Sequence, residues 1–221
     1  NALPLAQSTN EETTLTLSTA NTNLISISDP DAGASSVQVA LTATNGTMSL
    51  FGTTGLSFVF SDGNGTGAGD GTADATMTFR GTIADINTAL NGLQFIPTSN
   101  YAGAASIQIV TNDLGNTGTG GMQSDNDTLT ITVNAVNDAP AGTSNTVSGN
   151  EDTAYMFTAA DFGFTDPNDT PANALASVVI TTLPGSGSLT LSGSSFAAGT
   201  EISLANITAG NLKFLGATNG F

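Results

Sequence analysis

Short runs of alternating apolar and polar residues recur along the whole chain. A period of two predicts β-strands with one buried and one solvated face. Clusters of Gly, Asn, Asp and Ser separate the runs and predict turns, whereas helical patterns are nearly absent. The pattern therefore predicts an all-β fold of antiparallel β-sandwiches. The predicted strands cover residues 14–17, 24–27, 37–41, 48–50, 58–60, 77–79, 93–96, 107–110 and 129–133.

Two local patterns predict how some of these strands are connected. Asn45-Gly46 stands between the runs at 37–41 and 48–50, and Asn-Gly in this setting predicts a β-hairpin. Ile83, Ile86 and Leu90 have helical spacing, which predicts one short helix or turn. We interpret these apolar residues mainly as a plug that closes one end of a sandwich.

The stretch 125–140 divides the chain into two domains. Its alternating strand at 129–133 is bracketed by side chains that carry oxygen, and Pro140 prevents the strand from continuing as a central one. We therefore predict a first domain at residues 1–138 and a second at 139–221. The bracketing residues are Asp125 and Asp127 before the strand and Asn137 and Asp138 after it.

The second domain repeats the pattern of the first. Residues 11–13 correspond to 151–153, 28–31 to 165–169, 45–50 to 186–191, and 93–95 to 212–214. The second copy has no counterparts of the strands at 107–110 and 129–133, so as given it is an incomplete sandwich with an open edge. We expect either that the natural polypeptide continues past Phe221 or that another chain supplies these strands.

The charge of the chain excludes several classes of partner. Two basic residues, Arg80 and Lys213, stand against eighteen acidic ones, which gives a formal net charge of −16. Nucleic acids and anionic membrane surfaces require clustered Lys and Arg, so we predict no binding to either. No apolar run approaches the roughly 18–20 residues of a membrane helix, so we predict no membrane insertion. Bound divalent cations would offset part of the acidic excess.

The residue types present argue against catalysis. The chain has no His and no Cys, so Ser-His-Asp and Cys-His arrangements and His or Cys zinc sites are impossible. A carboxylate pair for glycoside hydrolysis stays formally open, but there is no Trp and no cleft motif to hold a sugar. We predict that the protein is not an enzyme.

Acidic and amide residues fall at equivalent strand ends in both repeats, which suggests calcium. Calcium takes six to eight oxygen ligands, mostly carboxylates and carbonyls. Strand direction places the first candidate group, Asp29, Asp31 and Asp113, at one end of the first repeat. The second candidate group joins Glu11, Glu12, Asn137 and Asp138 to Asp166, Asn168 and Asp169 of the following repeat. The alternative is that Asp and Asn simply favour turns and strand ends.

The Gly-rich segment from Asp62 to Asp74 is a further candidate calcium loop, because oxygen-bearing side chains alternate along it. It lacks the closing Glu of an EF-hand. Its many glycines make ordering costly in entropy, so we favour a mobile hairpin tip for this segment.

The ordered motifs resemble the cadherin-like, proteoglycan-type tandem repeats of large bacterial surface adhesins, which commonly close on a string such as that at residues 136–140. The resemblance implies tandem cadherin/Ig-like Greek-key β-sandwiches, the second one incomplete, with calcium at the joint between repeats. It matches Glu11 or Glu12 to the first-strand glutamate of the family and Asn137-Asp138 to its linker pair. It also matches Asp166 and Asp169 to the Asp-x-Asp group of the following repeat.

Two departures from the family suggest fewer ions per joint. Residues 99–103 read Ser-Asn-Tyr-Ala-Gly where the family carries an Asp-Arg-Glu element. Ala139 stands where animal cadherins carry a second asparagine. Fewer carboxylates at the joint imply weaker binding and fewer calcium ions, one rather than several.

These features predict a structural repeat of an extracellular bacterial adhesin, stalk or surface filament on the cell surface, as found in biofilms. Its partners would be neighbouring repeats of the same polypeptide or neighbouring subunits. One alternative is a recognition module in which the loop at 62–74 binds a cell-surface glycan or protein. Another is a filament subunit that exchanges strands with its neighbours.

Overall fold

The computed structural model describes residues 1–59, 69–116, 120–150 and 152–217. In this part the chain is mostly β-strand, arranged in several sheets, with two short α-helices and one 3-10 helix. The predicted all-β class is confirmed. The chain forms two compact units, Asn1–Val136 and Asn137–Phe221, and this division falls two residues before the predicted boundary. We call them unit 1 and unit 2.

The described part of unit 1 contains nine strands in two sheets. The strands are β1 (Gln7–Asn10), β2 (Leu15–Leu17), β3 (Val37–Thr44), β4 (Gly46–Ser49), β5 (Ser57–Phe58), β6 (Thr76–Gly81), β7 (Leu93–Pro97), β8 (Gly103–Asn112) and β9 (Ser124–Asn134). Six of them form a sheet in the order β1-β9-β8-β3-β6-β5, and three form a sheet in the order β2-β7-β4. All pairs are antiparallel except β1 and β9, which are parallel.

The alternating residues of both sheets enter one hydrophobic core. Leu17 and Phe95 of the smaller sheet and Val39, Ile107 and Leu129 of the larger sheet belong to the same buried cluster. The long pair β8 and β9 contributes five aliphatic side chains that are almost wholly buried: Ile107, Ile109, Leu129, Ile131 and Val133. Because these side chains alternate with polar ones, the opposite face of the strands stays solvated. The predicted strand at 129–133 is confirmed, although it begins earlier, so that Asp125 and Asp127 lie within it.

The predicted short helix is present as α1 (Ile83–Leu90). Thr82 caps its first turn, since its hydroxyl oxygen accepts a hydrogen bond from the Asp85 backbone N–H at 3.2 Å. Ile86, Ala89 and Leu90 are buried on one face of the helix. The helix therefore contributes to the core of unit 1 with the face that the apolar spacing indicated.

The predicted hairpin at Asn45-Gly46 is wrong. β3 pairs with β6 and β8, whereas β4 pairs with β7 in the other sheet. The Asn45 side-chain amide donates to the Tyr101 hydroxyl at 2.8 Å and to the Ala104 carbonyl at 3.0 Å. These contacts, with a positive φ of 54° at Asn45, direct the chain from one sheet to the other instead of folding it back on itself.

The predicted strand at 24–27 is also wrong. Ser26 forms only an isolated bridge with Ala2. The Asn87 side chain on α1 accepts from the Ile27 N–H and donates to the Ile27 carbonyl, both at 2.9 Å. A side-chain amide thus satisfies the backbone groups that a neighbouring strand would otherwise satisfy, while Ile25 and Ile27 stay buried.

Unit 2, as far as the structure describes it, contains six strands in two small sheets. The strands are β10 (Tyr155–Met156), β11 (Ser177–Ile180), β12 (Ser188–Leu191), β13 (Ser194–Ser195), β14 (Thr200–Ser203) and β15 (Leu212–Leu215). The sheets have the orders β10-β15-β12-β13 and β11-β14. A 3-10 helix spans Ala159–Phe162, and the second helix, α2, spans Leu204–Thr208. Neither α1 nor α2 has the length or apolar character to cross a membrane.

The repeat in the sequence has a counterpart in the strand registers. In unit 1, Phe95 of β7 lies opposite Leu15 and Met48. In unit 2, Phe214 of β15 lies opposite Tyr155 and Leu189, which are the corresponding residues. The two units therefore share the same pairing in these three strands, and the helix that precedes the last of them recurs as α2.

Candidate metal centre

The first candidate group lies around a surface cavity of unit 1. Asp29, Asp31 and Asp113 all line this cavity of about 290 Å³, together with Pro30 and residues at the start of β9. Strand direction had placed these three aspartates at the same end of the first repeat. The structure brings them to one cavity because β8 ends at Asn112, beside the loop that follows residue 27.

Backbone N–H groups already bind one oxygen of two of these carboxylates. Asp29 Oδ1 accepts from the N–H groups of Asp31 at 2.9 Å and Ala32 at 3.3 Å. Asp113 Oδ1 accepts from Gln123 at 2.8 Å and Gly115 at 2.9 Å, and these bonds hold the pKa of the Asp113 carboxyl below its ordinary value. Both residues behave as the turn-forming alternative predicts.

Glu11 and Glu12 lie at the opposite end of β9 from Asp113. Glu11 follows β1, and only 3% of its surface is exposed. Its Oε1 accepts a hydrogen bond from the Val136 N–H at 2.6 Å. Glu12 is exposed and has a positive φ of 61°. Glu11 therefore fixes the last residue of unit 1, while Glu12 occupies the adjoining turn.

The rest of the second candidate group, without Glu11 and Glu12, lies within unit 2. Asn137 and Asp138 open this unit, and Asp166, Asn168 and Asp169 belong to the Asp-Pro loop that follows the 3-10 helix. The Asp138 backbone N–H donates to Asp169 Oδ1 at 2.8 Å. This bond joins the two segments that sequence analysis had paired across a domain boundary. We call the residues joined by hydrogen bonds here, Asn137, Asp138, Asp166, Asp169 and Asn173, the Asp138–Asn173 cluster, and Asn168 lies in the same loop.

Two carboxylate oxygens of the Asp138–Asn173 cluster are buried without a hydrogen-bond partner. They are Asp138 Oδ2 and Asp166 Oδ1. Only 6% of the Asp166 surface is exposed, and its other oxygen accepts from the Asn173 N–H at 2.6 Å. A buried polar atom that lacks a partner costs roughly 1–3 kcal/mol, and more when it is charged. The cluster thus differs from Asp29 and Asp113, neither of which has a buried oxygen without a partner.

Sequence analysis missed Asn173, which contacts three members of the cluster. Its backbone N–H bonds to Asp166, and its side-chain Nδ2 donates to Asn137 Oδ1 at 3.2 Å and to Asp169 Oδ2 at 2.5 Å. Asn173 lies four residues beyond Asp169 in an irregular loop. No periodicity or motif marks it, because loop geometry alone turns it back towards Asp166.

Among the residues that the structure describes, no three acidic side chains are grouped closely enough to hold a metal ion by themselves. A cation at the Asp138–Asn173 cluster would therefore need amide and backbone oxygens besides the carboxylates, which is ordinary for calcium. The donor types present fit that requirement, since the cluster offers carboxylate oxygens and the side-chain carbonyl of Asn137.

Most of the Gly-rich candidate loop lies outside the described residues, since the structure describes only residues 69–74 of it. Within this part, the buried carboxylate of Asp74 accepts from three backbone N–H groups, those of Gly69, Gly71 and Thr72. The Asp74 carboxylate therefore holds the end of the loop in place by hydrogen bonds to the backbone.

Comparisons of the chain with protein-family models, with curated proteins and with solved structures gave no match.

Proposed function

We propose that the chain is a structural repeat of an extracellular bacterial surface protein, an adhesin, stalk or filament, which binds calcium at the Asp138–Asn173 cluster. Calcium there stiffens the connection between tandem Greek-key β-sandwiches of the cadherin type. Its partners are the neighbouring repeats or subunits, and its role is mechanical rather than catalytic.

The strand order of unit 1 supports the proposed Greek-key β-sandwich. Chain order passes between its two sheets after β1, β2, β3, β4, β6 and β7, so most connections cross from one sheet to the other, as they do in Greek-key sandwiches. Both sheets contribute to one core, as the two inner faces of a sandwich do. The parallel pairing of β1 with the last strand, β9, suits an Ig-like arrangement of this kind.

The unpartnered buried oxygens of Asp138 and Asp166 are the observation that carries the calcium proposal. Burying a carboxylate oxygen without a donor is unfavourable, and a divalent cation supplies the missing positive charge. Asp138 and Asp166 would offer these two carboxylate oxygens to the ion, and amide or backbone oxygens, such as Asn137 Oδ1, would complete the ligand set. The formal charge of −16 makes the chain as a whole favourable for cation binding.

The anchoring of the linker explains how binding would stiffen the protein. Glu11 holds the Val136 N–H within unit 1, and Asp169 holds the Asp138 N–H within unit 2. Only Asn137 separates these two anchored residues, so few backbone dihedrals are left to bend. A cation bound by Asp138 and Asp166 would reduce repulsion among the carboxylates of the cluster and keep the second anchor closed.

Thermal unfolding with calcium and with chelator, together with small-angle scattering, tests the proposal. We expect calcium to raise the melting temperature of unit 2 and to lengthen and stiffen the particle, since a ligand that binds only the folded state stabilises it. Asp166→Asn and Asp138→Asn should each abolish both responses. Magnesium should have a weaker effect, because it prefers six ligands in rigid geometry.

Asp85→Asn is the matched control. Asp85 accepts a hydrogen bond from the Thr82 hydroxyl at 2.7 Å and lies outside both candidate groups and outside the Gly-rich candidate loop. It should leave the calcium response unchanged. An identical melting curve and scattering profile with calcium and with chelator would overturn the calcium proposal.

A second candidate function follows from the edge of β11. In unit 1, β3 is paired on both sides, with β6 and with β8. In the described part of unit 2, the corresponding strand β11 pairs only with β14, and 54% of the Val179 surface is exposed. A neighbouring subunit that donates a pair of strands like β8 and β9 would complete this edge and link subunits into a filament.

A synthetic peptide of residues 103–134, added to the whole chain, tests the filament function. We expect it to slow hydrogen exchange at Ser177–Ile180, because strand pairing protects backbone N–H groups. A peptide with Ile107→Asp and Ile109→Asp is the control and should give no protection. Equal exchange with both peptides would contradict strand acceptance while leaving the calcium proposal untouched.

A further inference from the structure

The side-chain amide of Asn173 lies against the oxygens that a cation would take. Its two Nδ2 protons point to Asn137 Oδ1 and Asp169 Oδ2, at 3.2 and 2.5 Å from the nitrogen. Its backbone N–H points to Asp166 Oδ2 at 2.6 Å. One residue thus directs three donors at three members of the Asp138–Asn173 cluster.

These donors act electrostatically as a weak cation does. The hydrogens of an amide N–H group carry partial positive charge, so they reduce the repulsion between the oxygens that they join. They do not reach Asp138 Oδ2 or Asp166 Oδ1, which stay without partners. The amide therefore satisfies only part of the acceptors in the cluster, whereas a divalent ion with several ligands could satisfy more of them.

An amide N–H and a metal ion cannot share the same oxygen lone pairs at close range, because both bring positive charge to them. Asn173 is exposed, so its side chain has room to turn away from the cluster. Its backbone bond to Asp166 does not depend on the position of the side chain.

We propose that the Asn173 side chain is an internal competitor for the calcium site, holding Asn137 and Asp169 in place until the ion displaces it. This inference rests on the proposed function. The Asn173 amide keeps the cluster assembled at low calcium concentration, but it lowers the affinity of the site for calcium. The site therefore binds calcium only at higher calcium concentrations. The competitor sets the concentration at which the repeat stiffens.

Isothermal titration of the whole chain with calcium chloride, compared with Asn173→Ala, tests the proposal. The alanine variant keeps the backbone N–H and loses both side-chain donors. We expect calcium to bind about tenfold more tightly, since two net hydrogen bonds no longer oppose it. In chelator, the variant should melt at a lower temperature than the unmodified chain, because the amide no longer bridges Asn137 and Asp169.

Asn145→Ala is the matched control. Asn145 is an exposed asparagine of the same unit whose amide donates to the Asp161 carbonyl, outside the cluster. Its replacement should leave the calcium affinity unchanged. The side-chain amide resonances of Asn173 in the unmodified chain give an independent measurement, and they should shift towards solvent-exposed values as calcium is added.

The calcium titrations and the amide resonances distinguish failure of the competitor role from failure of the proposed function. Weaker calcium binding by Asn173→Ala would identify Asn173 as a ligand and overturn the inference, as would unchanged affinity or unmoved amide resonances. The absence of calcium binding by the unmodified chain would overturn the proposed function itself. Binding by the unmodified chain without a change in the variant would overturn only the competitor role.

Discussion

Phe95 and Phe214 occupy matching places in the two units but differ in burial. Each lies in the central strand of a small sheet, with corresponding residues opposite it on both sides. Phe95 is fully buried, whereas Phe214 is half-buried. Among the described residues, the core of unit 1 contains twenty buried apolar side chains and that of unit 2 contains three, Ile202, Ile207 and Leu212.

The difference shows what β8 and β9 contribute to unit 1. Their five aliphatic side chains cover the inner face of the smaller sheet, and no strands in the described part of unit 2 have this role. Identical local pairing therefore does not ensure equal burial. A strand register is fixed by its immediate neighbours, but the core depends on the sheet across from it.

The two Asp-Pro loops differ in the same way. Asp29 bonds to N–H groups two and three residues further along, so its loop closes on itself. Asp166 bonds to Asn173, seven residues further along, and leaves its other oxygen buried without a partner. Similar sequence motifs thus give a self-contained turn in unit 1 and an incompletely satisfied cluster in unit 2.

The largest expected effect is a difference in stability when the two corresponding phenylalanines are replaced, and it tests the comparison of the two cores. Phe95→Ala should destabilise unit 1 by about 3–5 kcal/mol, the usual cost of removing a buried phenylalanine. Phe214→Ala should destabilise unit 2 by only about 1–2 kcal/mol, because its side chain is already partly solvated. Hydrogen exchange followed by mass spectrometry separates the two units, since their peptides are distinct.

An equal loss of stability on replacing either phenylalanine would contradict the view that β8 and β9 cause the difference in burial between the two units. Adding the peptide of residues 103–134 to the Phe214 variant sharpens this test. If the peptide covers unit 2, the loss caused by Phe214→Ala should increase in its presence, because the side chain is then buried as Phe95 is.

A smaller effect concerns two corresponding hydrogen bonds whose acceptor side chains differ in charge. The Ser18 N–H of unit 1 donates to the neutral Asn23 side chain at 2.9 Å, and the corresponding Thr158 N–H of unit 2 donates to Asp161 at 2.7 Å. The bond from the Thr158 N–H is the main cause that lowers the pKa of the Asp161 carboxyl, and the hydroxyls of Thr158 and Tyr155 add to it.

Asp161→Asn should destabilise unit 2 by up to about 1 kcal/mol at neutral pH, since asparagine can still accept one of these bonds. A carboxyl whose folded-state pKa is depressed stabilises the fold above its ordinary value of 3.8 and loses that contribution as the pH falls through the folded-state pKa. The difference between the unmodified chain and Asp161→Asn should therefore shrink below this value.

Urea unfolding of both proteins at neutral and at acidic pH measures the difference directly. Asn23→Asp is the reciprocal change in unit 1 and should introduce a pH dependence there. The difference in unfolding free energy between the unmodified chain and Asp161→Asn could instead stay constant with pH. That result would contradict the assignment of this stabilisation to the charged carboxylate.

The sequence predicted most strands of unit 1 because each buries one face. Residues 107–110 and 129–133 alternate so regularly that only a strand fits them, and the helical spacing at 83–90 fits only a helix or turn. The segment 24–27 was predicted wrongly because burial of Ile25 and Ile27 needs no partner strand when Asn87 satisfies the backbone. That satisfaction depends on a residue sixty positions away.

The sequence predicted which residue types lie at the candidate site but not which of them form hydrogen bonds with one another. The sequence indicates which carboxylates and amides lie at strand ends, and Asp138, Asp166 and Asp169 do lie in one cluster of unit 2. It does not indicate that Asn173 joins them or that Asp113 is satisfied by Gln123, since both contacts depend on the path of a loop.

The sequence by itself determined the all-β class, the internal repeat and the excess of acidic side chains, because hydrophobic period, turn residues and charge are local properties. Only the tertiary structure decided which strands pair, which carboxylate oxygens are buried without a donor and how far each core is covered. These depend on residues distant in the chain, since hydrogen bonds and apolar contacts are made with whatever the fold brings near.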